Sequence, residues 1–203
     1  MGPQGKGKAV ANLVRLQPGE KIAAFAAVSD FAGGGYVLLA TRIGIVKKTE
    51  LAAFGNPRAG GIIALSVEAD DAQIDAVLTS GENELLLGTR DGMAIHFGEQ
   101  DVRPMGRAAY GVKGIELEAG DEVVALEVVD ASGTVLTVTE NGYGKRTPID
   151  EYRKQSRGGK GLINIKTSGR NGRVVGVKFL RGDEGVMLIT KNGMIIRLNT
   201  ADI

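Results

Sequence analysis

The chain has 203 residues, enough for one large domain or two small ones with a buried core. Its 43% apolar and 24% charged residues are those of a globular protein, and the net charge of +1 argues against a generic polycation. The absence of cysteine excludes a disulfide framework and a thiolate metal centre, and a single histidine leaves little room for zinc or Ser-His-Asp chemistry.

The 31 glycines are roughly twice the usual share, while aromatics make up only 4%. Without Pro or Ser enrichment, that points to many tight turns, as in an all-β chain of short strands. The longest apolar run, Ile22 to Val28, is far below the roughly 18 residues of a membrane span. No signal-peptide pattern opens the chain, so a cytoplasmic location and no membrane partner are expected.

Charge is strongly segregated. Residues 1–60 carry +5, 61–101 carry −8, 102–140 carry −4 and 141–203 carry +8. Basic ends around an acidic middle can form a basic stripe once folded.

Four segments of the chain align without gaps: YVLLATRIGIVKKT (36–49), ELLLGTRDGMAIHF (84–97), TVLTVTENGYGKRT (134–147) and VMLITKNGMIIRLN (186–199). Their shared glycines are Gly44, Gly92, Gly142 and Gly193, each with Thr three residues earlier. Asp91-Gly92, Asn141-Gly142 and Asn192-Gly193 suit type I′ turns with positive φ at both centres, and Ile43-Gly44 is the odd member. Each segment is thus predicted to be strand, tight turn, strand. Between the hairpins lies a second repeated unit of Gly-rich loop, strand, polar turn and strand, at 5–25, 58–78, 110–129 and 158–179. Short helical turns are expected near Glu50–Phe54 and Asp150–Arg153.

Four strands per roughly fifty residues, repeated radially, is the signature of propeller blades. Strands apolar on both faces, such as Val37-Leu38-Leu39-Ala40, fit a sheet held between neighbouring sheets. The expected units are approximately 1–54, 55–106, 107–154 and 155–203. The chain opens on the loop half of a repeat and closes on a hairpin, as a piece of a larger protein would.

Counting from each turn glycine, the fourth residue is Lys48, His96, Arg146 or Arg197, with Lys47 and Lys145 beside it. Equivalent offsets occupy equivalent places on each blade, so this column predicts a basic track around one rim. Gln155-Ser156-Arg157-Gly158-Gly159-Lys160-Gly161 brackets a glycine pair with two cations, letting backbone amides approach a phosphate. Weaker echoes stand at Gln4–Lys8, Pro57–Gly61 and Arg107–Gly114. The nucleotide-binding spacing G-x-x-x-x-G-K-S/T is absent.

These loops, with Gly55–Arg58, Asp101–Arg107 and Val138–Thr147, make the chain similar over its whole length to the C-terminal domain of the DNA gyrase A subunit. The resemblance implies an all-β, propeller-like β-pinwheel of which this chain holds about four blades. It implies a non-catalytic module that wraps double-stranded DNA around a basic rim without reading sequence, supporting ATP-dependent negative supercoiling by an enzyme built with the gyrase B subunit. Gln155 to Gly161 matches the family's box, Q-R-R-G-G-K-G, except at Ser156, and so resembles a secondary copy. No cofactor or metal is expected. The candidate DNA contacts are Lys47, Lys48, Arg58, Arg103, Arg107, Lys113, Lys145, Arg146, Gln155, Arg157, Gly158, Gly159, Lys160, Gly161 and Arg197. The alternatives are the C-terminal domain of topoisomerase IV, which shares the architecture, and a propeller that docks proteins through its acidic middle.

Overall fold

The structure is a computed structural model that describes Leu16 and residues 18–58, 60–182 and 184–203. Thirteen strands and no α-helix occur among these residues, and no helix is long and apolar enough to cross a membrane.

Three hairpins lead the architecture: β1 (Tyr36–Thr41) with β2 (Ile45–Glu50), β4 (Glu84–Thr89) with β5 (Met93–Gly98), and β8 (Thr134–Thr139) with β9 (Gly144–Pro148). Each is followed by a seven-residue strand: β3 (Gln73–Thr79), β7 (Val123–Val129) and β11 (Val174–Leu180). Those strands pair back onto the first strand of their own hairpin. The fourth strand comes from farther along the chain. Two-residue β6 (Val112–Lys113) pairs with β2, and β10 (Leu162–Ile163) pairs with β5, giving the orders β3-β1-β2-β6 and β10-β5-β4-β7. The four strands of one sequence repeat are therefore shared between two sheets. The strands expected within residues 20–28 and 60–68 are not formed. The third sheet is β11-β8-β9, and β12 (Gly185–Ile189) pairs only with β13 (Ile195–Asn199), leaving Met187, Ile189, Ile195 and Ile196 exposed.

Neighbouring sheets stack face to face. β7 packs against β3 on one side and β11 on the other, so these edges converge and the β6 and β10 edges lie at the periphery. Along β4, Leu85 and Leu87 join a core with Leu38, Val46 and Ile95, while Leu86 faces a second core with Val135, Val177 and Phe179. Successive side chains of a strand point to opposite faces, so a sheet with a core on each side needs an unbroken apolar run.

The turn geometry corrects the type I′ expectation. Gly44, Gly92, Gly142 and Gly193 all have φ between 81° and 92°, but no other residue type has positive φ among the described residues. In each turn the glycine amide donates to the threonine carbonyl, at 2.9–3.1 Å. This is a type I turn closed by a left-handed glycine, as in a three-residue hairpin loop. Ile43, which disfavours positive φ, fits it as well as Asp91 or Asn141. The repeated threonine has a reason too. Its hydroxyl accepts the amide after the glycine in three hairpins, from Ile45, Met93 and Met194, and donates to the Tyr143 carbonyl in the other. A 3-10 turn then follows every hairpin, at Leu51–Phe54, Glu99–Asp101, Ile149–Glu151 and Thr200–Asp202.

Gly161 enters β10 at φ 75°, where an added Cβ would stand 2.2 Å from the Ala94 carbonyl oxygen. Gly120 has a similar φ of 85° with nothing nearby. Gly120→Ala should therefore cost about 1–2 kcal/mol from backbone strain alone. Gly161→Ala should cost clearly more in urea unfolding, because it also pushes β10 off β5.

Candidate nucleic-acid interface

The hairpin column does not form an open track. Lys48 is 4% exposed, and its Nζ donates to the Glu99 carbonyl at 2.9 Å, with the Glu99 carboxylate at 3.6 Å. His96 is also buried, with Nδ1 2.8 Å from the Tyr152 carbonyl and Nε2 2.9 Å from the Glu84 carboxylate. Arg146 donates to the Thr200 carbonyl. Each of the three thus reaches a backbone carbonyl at the 3-10 turn of the next repeat. The backbone reinforces this, since Met105 donates to the Lys48 carbonyl at 2.8 Å and Gln155 to the His96 carbonyl at 2.9 Å. The column ties one blade to the next. A basic residue at a fixed strand offset looks like a solvated edge in sequence, but here the following repeat covers that edge. Arg146 and Arg197 are exposed, and no described residue crosses β9 as Pro104 crosses Lys48.

Lys47 is fully buried, and its Nζ donates to the carbonyls of Ala64 and Arg107. Burial, then the Arg107 charge, pushes its ammonium down to about 8. It contacts no solvent, so the structure removes it from direct phosphate contact. Lys145, its counterpart in the third hairpin, is exposed.

The box-like loop is a strap from sheet to sheet. Arg157 donates to the Asp101 carbonyl at 2.8 Å and the Lys113 carbonyl at 2.9 Å. The Gly158 amide is used by the Gly114 carbonyl at 2.6 Å, and the Gly159 carbonyl accepts from Glu116 at 2.9 Å. That Gly158 amide is therefore not offered to a phosphate as the sequence suggested. Gln155 is half-buried beside His96, and Gly161 threads beneath the Ala94 carbonyl. Lys160 projects outward and pairs with Glu118 at 2.7 Å, which holds the lysine above its usual value and the carboxylate below its own.

The charge segregation follows from pairing between repeats. Seven of the nine ion pairs among the described residues join a cation from residues 1–60 or 141–203 to an anion from 61–140, Lys178–Glu127 and Arg181–Asp130 among them. Arg58, Arg103, Arg107, Lys113, Lys145 and Arg197 take no part in an ion pair, and their side chains make no hydrogen bond among the described residues. Lys113 lies on the peripheral strand β6, against Gly158 of the strap. Arg58 and Arg107 line one groove of about 640 Å³ with Gly61, Ile62 and Gly106. These cations form the peripheral set. Arg153 belongs with them, being exposed and fifty residues after Arg103, and that spacing was the available signal. The echo at Gln4–Lys8 and residue Ala59 lie outside the described residues. No group of three or more His, Asp or Glu suited to a metal occurs among the described residues.

The family model for the DNA gyrase C-terminal domain, a β-propeller, matches residues 35–80, 83–130, 133–181 and 186–203. The chain belongs to the DNA gyrase C-terminal domain family. Each matched unit opens at a hairpin. The DNA gyrase A protein of Haloquadratum walsbyi is 47% identical over 98% of the chain, and that of Staphylococcus aureus is 45% identical. The chain spans about a quarter of the length of these relatives. A solved DNA gyrase A C-terminal domain superposes with a TM-score of 0.89 at 26% identity, covering 98% of this chain and 67% of that one. The C-terminal domain of a DNA topoisomerase IV does so with 0.90 at 30% identity, covering 97% and 62%.

Lys47 carries a consequence for stability. Its folded value of about 8 lies below the ordinary 10.5, so between those values the unfolded chain binds more protons. This group's penalty is fully present below about pH 8 and is lost as the pH rises to 10.5. Unfolding measured across that window should show the wild type gaining stability relative to Lys47→Ile.

Proposed function

We propose that this chain is the DNA-wrapping portion of a gyrase A protein, working in the cytoplasm within an enzyme completed by the gyrase B subunit. On its own it performs no catalysis. It bends duplex DNA around its periphery, so that the holoenzyme can introduce negative supercoils at the expense of ATP. The observation that carries this reading is the peripheral set of cations without partners among the described residues, Arg58, Arg103, Arg107, Lys113 and Arg153 among them, in a fold whose other cations are largely engaged by carbonyls and carboxylates. Arginine and lysine on loops neutralise phosphates and release counterions, which gives affinity without base readout. Smooth bending of 20–30 bp costs on the order of 1–6 kcal/mol, so several blades must engage the duplex together.

Within the candidate set, the loop residues, Lys145 and Arg197 remain proposed contacts, with Arg157 and Lys160 assisting and Gln155, Gly158, Gly159 and Gly161 shaping the strap. Lys47, Lys48 and His96 act from inside. The structural likeness to a topoisomerase IV C-terminal domain supports a second reading. The box-like strap and the gyrase A relatives favour the first.

If about six phosphates are engaged, affinity for linear duplex should fall about a thousandfold between 50 and 200 mM salt. Replacing Arg58, Arg103, Arg107 and Lys113 together by Ala should flatten the salt dependence by about 3 to 4 in slope. A flat salt response in the wild type would refute the reading. Ligating nicked circular DNA in the presence of the protein should change its linking number if the duplex wraps, which separates wrapping from simple adhesion.

A further inference from the structure

Lys47 occupies a position where the fold does not need a cation. Ile95 is its counterpart in the second hairpin, also fully buried, and forms part of the core between sheets. An ammonium there is costly unless something compensates its charge. The two carbonyls of Ala64 and Arg107 take up hydrogen bonds but carry no countercharge.

No carboxylate answers Lys47 among the described residues: it belongs to none of their nine ion pairs. Across the β1 ladder it faces Leu39, and from the strand-entry loop the Gly111 backbone packs on its Cβ. The charged group that acts on it is itself a cation, Arg107 in the loop it holds, and Lys113 on β6 stands opposite Ile45, two residues before it. The buried charge thus lies directly behind the loop that forms one wall of the Arg58–Arg107 groove. Arg157, the counterpart of Arg107 one repeat on, uses its guanidinium on two carbonyls, whereas Arg107 makes no such bond.

We infer that the Arg58–Arg107 groove is a discrete subsite for one phosphodiester of the DNA backbone, with Lys47 as a buried positioning residue that holds its two loops and supplies charge from behind. This deepens the DNA-wrapping reading and rests on it. Arg58 and Arg107 meet the phosphate from the flanks. The groove floor of Gly61 and Gly106 brings backbone close to the ligand, and Lys47 ties Ala64 to Arg107 without touching the anion. The anion supplies the countercharge that Lys47 lacks among the described residues.

The test uses the full chain, a short mixed-sequence duplex at fixed low salt, and the variants Lys47→Ile, Arg107→Ala and their combination. Because Ile already fills the equivalent position in the second hairpin, Lys47→Ile is expected to fold with an unchanged far-UV spectrum. Bound phosphate should favour the protonated lysine. Wild-type binding should therefore weaken about fivefold between pH 7 and pH 9 if the phosphate raises the ammonium by one unit, with proton uptake measurable by calorimetry in buffers of different ionisation enthalpy. Lys47→Ile should bind several-fold more weakly at pH 7, lose that proton uptake, and make Arg107→Ala less damaging than it is in the wild type. A purely structural lysine would leave proton uptake and the coupling to Arg107 unaffected. Wild-type affinity and proton uptake retained in Lys47→Ile would overturn the subsite, even where Arg103→Ala and Lys113→Ala still weaken binding. A wild-type chain that ignored duplex DNA altogether would overturn the wrapping reading and the subsite with it.

Discussion

The fold depends on the first two sheets each being finished by the next repeat. A hairpin and its following strand leave β2 or β5 with an unpaired edge, and an exposed edge invites association with other chains. The gap is closed by only two residues, Val112–Lys113 or Leu162–Ile163, delivered by a loop from the following repeat. So short a strand has little pairing energy of its own, and the surrounding ties compensate. The Gly114 amide bonds to the Gly44 carbonyl at 2.7 Å, the Asn164 amide to Gly92 at 2.8 Å, and Lys48 or His96 grips the adjacent 3-10 turn. The loops that carry the peripheral cations are therefore the loops that hold the blades together. Rigid attachment at both ends is what lets a Gly-rich loop present charge at a fixed place.

The electrostatics divide along the same line. On the first two hairpins Lys47, Lys48 and His96 are buried and meet backbone carbonyls of the adjoining loops and 3-10 turns. Cations on the loops point outward and stay solvated. Between these groups, carboxylates from the acidic middle pair with the basic last third: Glu84 is held below its ordinary range first by the Lys154 hydrogen bond and further by His96. A near-zero total charge is thus compatible with a positive periphery, because seven carboxylates of the acidic middle are answered by cations of the same molecule. The free periphery leaves basic residues open to solvent without their being clustered in sequence.

Much of this was legible in the sequence, for physical reasons. The glycine and threonine of each hairpin recur because one needs a left-handed backbone and the other closes the turn with its hydroxyl. The two-sided apolar strands recur because both faces are cores. The type I′ assignment failed because Asp-Gly and Asn-Gly serve two turn geometries, and only Ile43 discriminated between them. The exchanged strands escaped because two residues carry no period. Lys48 and His96 were misplaced because what covers them comes from fifty residues away. Tyr152, Asn164 and Thr137 form a buried hydrogen-bonded chain at the second seam, where Val102, Gly114 and Leu87 stand at the first. Spacing alone gave no hint of that difference.

The central claim is that buried cations build the seams while loop cations meet the DNA. Quantitative amine labelling of the lysines, read by mass spectrometry with and without duplex DNA, tests it most directly. The account predicts that Lys47 and Lys48 label slowly in both states, whereas Lys113 and Lys160 label quickly and become protected by DNA. Fast labelling of Lys48 that DNA suppresses, with Lys113 and Lys160 unchanged, would contradict it.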